Sequence, residues 1–422
     1  GEGEHKIFAH LRELNRSATH DSYNNQYVIY GLDADLIMLC LNHLYVRIDQ
    51  NRVAHNRLFL YRETPEFIRS INRNLIPNEN YLLDIGTLGD IVLEQMRVNT
   101  SRIDDISKQM IFHDYVLICF FLGNDFMPHF PSINIRRGGI QRLLTVYVQT
   151  MQEIGQNYTQ NTLTYYNRKG EINIHWSLLK RLVKNMLEED YSYWMKEYKY
   201  REQKERRDRE FWEKTDKKKY FAENEGEKIL DLLPYLFRDT EKLIDPCKKG
   251  WQRRYYKYLL GSDVVNRFNK VQKKYTSDVF VHNLSQNFLE GLEWTLKYYT
   301  SGCPNWQWRY RYDYPPLLDD LAREIPFFDE CKIQRTPPNP VSSTLQLSYV
   351  LPKKSLRLLP PKIHFELLRR FSKYYLNDDS EESLGGVTMC WAFCSKFWEA
   401  HVHLPHIDIE KLREVVDIKL NQ

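Results

Sequence analysis

Short apolar runs separated by charged residues mark the first third of the chain. Residues 27–30 are apolar and rich in β-forming side chains, and Gly31 ends the run, so the pattern predicts a buried strand. Residues 36–41 are apolar again. Asp33 and Asp35 lie between the two runs at a spacing of two, which in an extended backbone would point both carboxylates the same way.

Helical periodicity dominates the chain on both sides of this stretch. Apolar spacing predicts a helix after Glu4, a helix over 111–122 that leads to Asp125, and an amphipathic helix from Ile140. Beyond residue 141 the chain is strongly amphipathic, with predicted helices at 178–187, 288–299, 365–371 and 388–397. The pattern therefore predicts an α/β region over roughly the first third, followed by a long, mostly α-helical region.

Five carboxylates fall where predicted elements begin or end: Glu2, Glu4, Asp33, Asp35 and Asp125. Acids beside apolar runs are costly to bury unless something neutralises them, and the hard cations Mg²⁺ and Mn²⁺ prefer carboxylate oxygen. Ligands of open α/β sheets bind at the carboxyl ends of strands, so these acids would suit a metal site at one sheet edge. The alternative for Asp33 and Asp35 is a turn at a strand end with solvated carboxylates.

The acid-bearing stretches closely resemble the motifs of a known enzyme family. The chain reads Gly-Glu-Gly-Glu-His-Lys at 1–6, Tyr-Gly-Leu-Asp-Ala-Asp-Leu-Ile at 30–37 and Gly-Asn-Asp-Phe-Met-Pro-His at 123–129. These motifs, in this order, are similar to those that carry the acidic metal site in the Xrn family of 5′→3′ exoribonucleases. The Trp- and Tyr-rich residues 291–316 also resemble that family's aromatic segment.

The resemblance implies a fold and an activity. Residues 1–140 would be the C-terminal part of a PIN/flap-nuclease-like α/β core with the metal site, and residues 141–422 an Xrn-type helical domain. The enzyme would hydrolyse single-stranded RNA from a 5′-monophosphate end to nucleoside 5′-monophosphates. The five acids would be both catalytic and metal-binding, holding two Mg²⁺ (or Mn²⁺) ions about 4 Å apart.

The same resemblance predicts that the chain is a fragment. In the family, two further catalytic aspartates and the basic pocket for the 5′-phosphate lie upstream of the first motif, which here begins at Gly1. A purified fragment of this extent would therefore lack part of its active site.

Basic side chains near the acids are candidates for RNA contacts. Lys6 would either contact the scissile phosphate or pair with an acid. Arg136 and Arg137 follow Asp125 in the sequence, and a guanidinium group matches a phosphate in bidentate fashion. The alternative for these two arginines is a loop with solvated charge at the start of a helix.

Aromatic and polar side chains alternate between Asn305 and Tyr312. In extended backbone Trp306 and Trp308 would share one face, where they would stack on bases. The family uses a tryptophan from this region to stack on the first base of the substrate, so Trp306 and Trp308 are the candidates. The alternative is an aromatic strap that only packs domains together.

Composition limits the class of protein without identifying it. The net charge is only +4, so any basic surface for RNA must be local. Seven scattered cysteines without a Cys-x-x-Cys pair predict reduced thiols in an intracellular protein, cytoplasmic or nuclear, rather than disulfides or a zinc site. No apolar run has the length of a membrane span. The rival functions are a structure-specific flap endonuclease and a non-catalytic RNA-binding scaffold.

Overall fold

The computed structural model of the chain describes residues 2–17, 26–49, 52–64, 73–155, 161–215, 230–262, 267–269, 274–276, 278–333, 340–375, 388–403 and 407–420. The helices are α1 (Gly3–Ser17), α2 (Asp35–Asn42), α3 (Ile85–Gln95), α4 (Asp105–Cys119), α5 (Gly139–Glu153), α6 (Trp176–Leu187), α7 (Asp190–Lys214), α8 (Leu233–Leu236), α9 (Asp239–Ile244), α10 (Trp251–Leu260), α11 (Val279–Ser301), α12 (Leu318–Glu324), α13 (Ser343–Val350), α14 (Pro361–Phe371) and α15 (Ile409–Leu420). The strands are β1 (Gln26–Tyr30), β2 (Tyr45–Arg47), β3 (Val53–His55), β4 (Arg57–Glu63), β5 (Asn80–Asp84), β6 (Thr164–Tyr166), β7 (Ile172–Ile174), β8 (Arg267–Asn269), β9 (Lys274–Thr276), β10 (Thr388–Cys390) and β11 (His401–His403). The protein is therefore mostly helical with small sheets.

The chain forms two compact units. Unit 1 comprises Gly1–Glu197 and Pro246–Pro337, and unit 2 comprises Tyr198–Asp245 and Pro338–Gln422. The two contact-based units do not divide at residue 140. The domain limit predicted there concerns functional domains and stays a prediction. All seven cysteines are free, as predicted, and none of the described helices combines the length and hydropathy that crossing a membrane requires.

The largest sheet lies in unit 1 and has the strand order β1-β4-β5. Strand β1 confirms the predicted strand but not its predicted burial, since Val28 and Tyr30 are exposed and only Ile29 is buried. It pairs in parallel with β4, whereas β5 pairs with β4 in antiparallel fashion. Ile29 and its partner Leu60 point into the core, because side chains alternate across a strand. The α/β prediction is confirmed only in part, since the described residues show a small mixed sheet rather than a distinct PIN core.

Helix α4 lies at the centre of unit 1. Every residue from Gln109 to Cys119 is buried, and a helix that is apolar on most sides must be surrounded by other elements. Its N-cap is Asp104, whose carboxylate accepts from the Ser107 N–H. The helix ends in a 3₁₀ turn, Phe120–Leu122, which leads the chain to Asp125 as the periodicity predicted.

The acid Asp114 is fully buried on α4 and is surrounded by hydrogen-bond donors. Its Oδ2 accepts from the Tyr147 hydroxyl at 2.9 Å and the Leu163 N–H at 2.8 Å. Its Oδ1 accepts from the N–H of Thr164 at 2.9 Å and from the hydroxyl of Thr164 at 2.7 Å. This carboxylate therefore joins α4 to α5 and to the start of β6.

We expect Asp114→Asn to destabilise the chain by about 3 kcal/mol, because an amide NH₂ would face a backbone N–H that cannot turn away. Burial raises the pKa of Asp114 to about 7, so urea unfolding should be measured at pH 8, where the carboxyl is ionised. The exposed Asp90→Asn on α3 is the matched control and should change the unfolding free energy by less than about 0.5 kcal/mol. Equal stability of the two variants would contradict this role.

Of the four helices predicted at 178–187, 288–299, 365–371 and 388–397, three are confirmed and one is wrong. Helices α6, α11 and α14 confirm the predicted helices at 178–187, 288–299 and 365–371. The helix predicted over 388–397 is wrong, because β10 pairs with β11 in antiparallel fashion. The turn after β10 places Phe393 at φ 62°, a left-handed conformation that no α-helix contains. Phe393 and Cys394 are therefore buried in a turn, although the spacing of the apolar residues resembles that of a helix.

Unit 2 buries a network of ion pairs. Glu241 is fully buried on α9, and both its oxygens accept from the Arg201 Nε at 3.0 Å. Arg238 donates to the same carboxylate at 2.6 Å and to Glu205 at 3.1 Å. The Phe393 N–H donates to Glu241 at 2.9 Å, which ties the turn after β10 to α9.

Candidate active site

Asp33 and Asp35 lie at the carboxyl end of β1, but the backbone between them is not extended. Ala34 has φ −68° and ψ −29°, and Asp35 is the first residue of α2. The predicted extended geometry is therefore wrong, because the apolar residues after Asp35 start a helix whose first turn already includes the acid. Asp33 is exposed and accepts from the Asp35 N–H at 3.3 Å, whereas Asp35 is half-buried.

Two adjacent tyrosines near the end of α11 contact the acids. The Tyr299 hydroxyl donates to Asp35 Oδ2 at 2.6 Å, and the Tyr298 hydroxyl donates to Glu2 Oε2 at 2.9 Å. The His5 ring lies 3.7 Å from the Tyr298 ring, centroid to centroid, at the start of α1. The pair of tyrosines thereby links Glu2, directly before α1, to Asp35 in the first turn of α2. Helix α1 begins at Gly3, which confirms the predicted helix start near Glu4.

Asp125 is presented by a tight loop. The side chain of Asn124 accepts from the N–H groups of Phe126 at 2.9 Å and Met127 at 3.0 Å, which closes the turn around Asp125. Gly123 has φ 83°, and a Cβ there would lie 2.7 Å from the His129 nitrogen, so only glycine fits. Phe126 packs on the Tyr298 ring at 5.2 Å, while Asp125 itself stays exposed.

Electrostatics show that acids from separate segments lie near one another. Burial raises the pKa of Asp35 to about 6, and repulsion from Asp125, Asp33 and Glu2 adds to this, although the hydrogen bond from Tyr299 opposes it. Burial also raises the pKa of Tyr299 well above its ordinary value, again with help from Asp35, Asp125 and Glu2. Glu4 acts with Glu2 on the neighbouring Tyr298, whose pKa is raised first by burial. Glu2, Asp33, Asp35 and Asp125 are therefore close enough to interact, and Glu4 acts on Tyr298 beside them; that the five acids form one metal site stays a prediction.

The chemistry of this site fits a hard divalent cation, although its ligands are not assembled. Within the ranges that the structure describes, no group of three or more histidine, cysteine or acidic side chains is arranged to hold a metal ion. The donors are nonetheless all carboxylate oxygens, the ligands that Mg²⁺ and Mn²⁺ prefer. Burial is the main reason for the raised pKa of Asp35, and repulsion from Asp125, Asp33 and Glu2 adds to it; a bound cation would oppose this repulsion.

The predicted basic contacts have different surroundings. Lys6 is exposed on α1, which leaves both of its predicted roles open. Arg136 is exposed in the 3₁₀ turn Ile135–Arg137. Arg137 donates to both carboxylate oxygens of Glu197, so this guanidinium is held by an acid rather than solvated. The RNA-binding roles of these residues stay predictions.

The two candidate tryptophans do not share one environment, contrary to the predicted common face. Trp306 is 38 % exposed, whereas Trp308 is half-buried against Trp294 at a ring distance of 5.1 Å. Trp294 stacks in turn on Tyr298 at 4.8 Å. Trp308, Trp294, Tyr298 and His5 therefore form a continuous aromatic row that ends beside Glu2. We call these four residues the aromatic row.

Sequence reasoning missed the tyrosines that hold the acids and the tryptophan between them. Helical spacing places Tyr299 at the end of the predicted helix 288–299, and no sequence pattern distinguishes Tyr298 or Trp294. The only signal was the unusual density of aromatic residues in 291–316, which suggested a platform without indicating which side chains reach the acids.

Two family models match the chain. The model described as the XRN 5′-3′ exonuclease N-terminus matches residues 1–49, and the model described as the Xrn1 helical domain matches residues 105–232 and 236–420. The chain belongs to the Xrn family. Asp125 falls within the helical-domain match, whereas the other four predicted acids fall within the N-terminal match, so the candidates come from both matched regions.

Curated relatives agree with this assignment. The chain is 28% identical to human 5′-3′ exoribonuclease 1, over 99% of this chain and 24% of the relative. It is 24% identical to the Schizosaccharomyces pombe 5′-3′ exoribonuclease 1, over 99% of this chain and 36% of the relative. It is also 24% identical to Arabidopsis thaliana 5′-3′ exoribonuclease 2, over 98% of this chain and 47% of the relative. The chain thus spans about a quarter to a half of the length of these relatives.

Proposed function

We propose that this Xrn-family chain forms part of a 5′→3′ exoribonuclease that hydrolyses single-stranded RNA from a 5′-monophosphate end. One observation carries the proposal: carboxylates from separate segments, Glu2, Asp35 and Asp125, all lie close enough to Tyr299 to raise its pKa, and Tyr299 donates to Asp35 at 2.6 Å. Acids that repel one another at the carboxyl end of a strand serve no purpose in stability, and such arrangements are typical of functional sites. The sheet β1-β4-β5 would then belong to a PIN/flap-nuclease-like core.

In this proposal the five acids, Glu2, Glu4, Asp33, Asp35 and Asp125, hold two Mg²⁺ or Mn²⁺ ions. When bound, these ions would supply an activated water and neutralise charge on the leaving 3′-oxygen. Tyr299 fixes the orientation of the Asp35 carboxylate, since its hydroxyl donates to Oδ2. Tyr298 does the same for Glu2. Both tyrosines stay protonated because burial raises their pKa values, so each hydroxyl remains a donor.

The specificity for the RNA end tests the proposal directly. We expect the full-length protein to degrade RNA with a 5′-monophosphate, and to leave a capped or a 5′-hydroxyl RNA of the same sequence intact. The measurement is release of mononucleotides over time from the three RNAs at equal concentration. Equal rates on all three would contradict an exonuclease that recognises the 5′ end and would favour a flap-type endonuclease.

Trp306→Ala and Trp308→Ala separate base stacking from packing. Trp306 is exposed, so its loss should weaken binding of single-stranded RNA by about 1–3 kcal/mol while stability changes little. Trp308 donates from its indole to Glu290 at 3.3 Å and stacks on Trp294, so its loss should lower the unfolding free energy by about 2 kcal/mol. RNA affinity, measured in EDTA, reports the loss of base stacking. Urea unfolding, measured separately, reports the loss of packing. Unchanged RNA affinity in Trp306→Ala would exclude that residue from the stacking platform.

A further inference from the structure

A second polar cavity lies in unit 1, at the opposite end of α2 from Asp35. Its volume is about 790 Å³, and its walls come from α1, the C-terminal end of α2, the β2–β3 hairpin, α4, the β6–β7 turn and the end of α11. This volume falls within the roughly 300–1,000 Å³ of ordinary small-molecule sites. Because α2 rises about 1.5 Å per residue, Asn42 in the cavity wall lies about 10 Å along the helix axis from Asp35.

The lining of this cavity is strongly cationic. Its charged residues are Arg12, Arg16, Arg47, Arg168, Lys169 and the single acid Asp49. Five cations thus outnumber one acid, whose carboxylate also pairs with Arg52 at 2.6 Å. Cations gathered around one concave surface favour an anionic ligand.

Arg12 is half-buried in this cavity, and its hydrogen-bond partner is a histidine ring rather than a carboxylate. Its guanidinium donates to His43 Nε2 at 2.8 Å. His43 donates from Nδ1 to the Leu39 carbonyl at 2.7 Å, so Nε2 holds the lone pair and the ring is neutral. Burial lowers the pKa of His43 to about 3, and burial with repulsion from Arg16 lowers the pKa of Arg12 to about 10. No carboxylate among the described residues pairs with Arg12.

Two buried amides line the same cavity with unused polar atoms. Asn42 is only 3 % exposed, and its Oδ1 accepts from His113 Nδ1 at 2.9 Å. Its Nδ2 has no hydrogen-bond partner among the described residues, and neither has the Oε1 of Gln109, which is also 3 % exposed. A buried donor and a buried acceptor without partners are costly unless a ligand satisfies them.

We propose that this cavity binds the phosphate of a nucleotide, with Arg12 and the Asn42 amide as the anion contacts. Guanidinium and amide N–H groups are matched to phosphate oxygens. The unused Gln109 oxygen requires a donor from the ligand, which a ribose hydroxyl or a base amine supplies and inorganic phosphate at neutral pH supplies poorly. The nucleotide is either a free nucleoside monophosphate or one unit of an RNA strand. The site uses none of the five acids and does not depend on the proposed hydrolysis.

The test uses the full-length protein with Asp35→Asn in EDTA, so that neither hydrolysis nor metal-bridged binding contributes. Adenosine 5′-monophosphate, inorganic phosphate, adenosine and a 5′-hydroxyl oligoadenylate are titrated by calorimetry. Arg12→Gln should weaken binding of the monophosphate by about tenfold or more, the range for one charged hydrogen bond. Arg16→Gln, on the exposed rim, should weaken it a few-fold, and the matched surface change Arg73→Gln should leave it unaltered.

The outcomes separate the ligands. Tighter binding of the monophosphate than of phosphate or adenosine, lost in Arg12→Gln, supports a nucleotide site. If Arg12→Gln weakens binding of the oligoadenylate more than binding of the monophosphate, the ligand of the site is one unit of an RNA strand. Equal affinity for phosphate and the monophosphate would mean an adventitious ion only and would overturn the assignment. If Arg12→Gln unfolds, Arg16→Gln decides: monophosphate affinity equal to that of Arg73→Gln overturns the proposal.

Discussion

Asp35→Asn is expected to abolish RNA hydrolysis in the full-length protein without lowering its stability. The change removes one carboxylate oxygen of the proposed metal site and the charge that Glu2, Asp33 and Asp125 repel. We expect a loss in rate on the order of 10³-fold or more, the magnitude found when one group that stabilises transition-state charge is removed. The melting temperature should stay equal or rise, because the change removes repulsion between carboxylates in the folded protein.

Two further variants locate the effect. Tyr299→Phe keeps the ring and removes only the hydroxyl that donates to Asp35, so we expect a loss of about 10–100-fold, typical of a residue that orients a metal ligand. Asp90→Asn, an exposed acid on α3, is the control and should retain full activity. Hydrolysis by Asp35→Asn at the rate of the unaltered protein would refute the acidic site.

The second large effect is expected from Glu241→Gln in unit 2. The substitution leaves Arg201 and Arg238, both fully buried, with one negative charge fewer between them. Breaking a buried ion pair by removing one partner costs about 3–5 kcal/mol, because the remaining charge is left uncompensated. Urea unfolding of the full-length protein, followed by a signal from unit 2 such as Trp391 fluorescence, measures the loss. Trp391 is suitable because its indole donates to the Phe237 carbonyl at 2.8 Å within the unit.

The control for this variant is Glu410→Gln on α15. Glu410 forms an exposed pair with Arg413 at 2.7 Å, and pairs of this kind contribute little, so the change should be below about 0.5 kcal/mol. Burial alone would raise the pKa of Glu241, but Arg201 and Arg238 lower it below 4.5. The stability from Glu241 is therefore present above about pH 4.5 and is lost as the pH falls through the lowered pKa. Similar stabilities of Glu241→Gln and Glu410→Gln at pH 7 would contradict the importance of the network.

Short-range patterns were sufficient where a structure depends on neighbours in the sequence. Strand β1, the start of α1 near Glu4 and the helix that leads to Asp125 all follow from the spacing of apolar residues. The same spacing failed at 388–397, because a strand pair and a turn buried the side chains that a helix would bury. Periodicity reports which residues avoid water, and several backbone conformations can satisfy it over ten residues.

The sequence by itself determined the family and the helical character of most of the chain, and it nominated the five acids as candidates. These properties depend on residue types and local order, which the chain carries in any conformation. Only the tertiary structure decided which hydroxyl groups hold the acids, because Tyr299 and Asp35 are 264 positions apart. It also decided that Arg137 pairs with Glu197 and that Arg12 faces a cavity without an acid partner among the described residues. Such pairings depend on packing between distant segments, and no spacing along the chain encodes them.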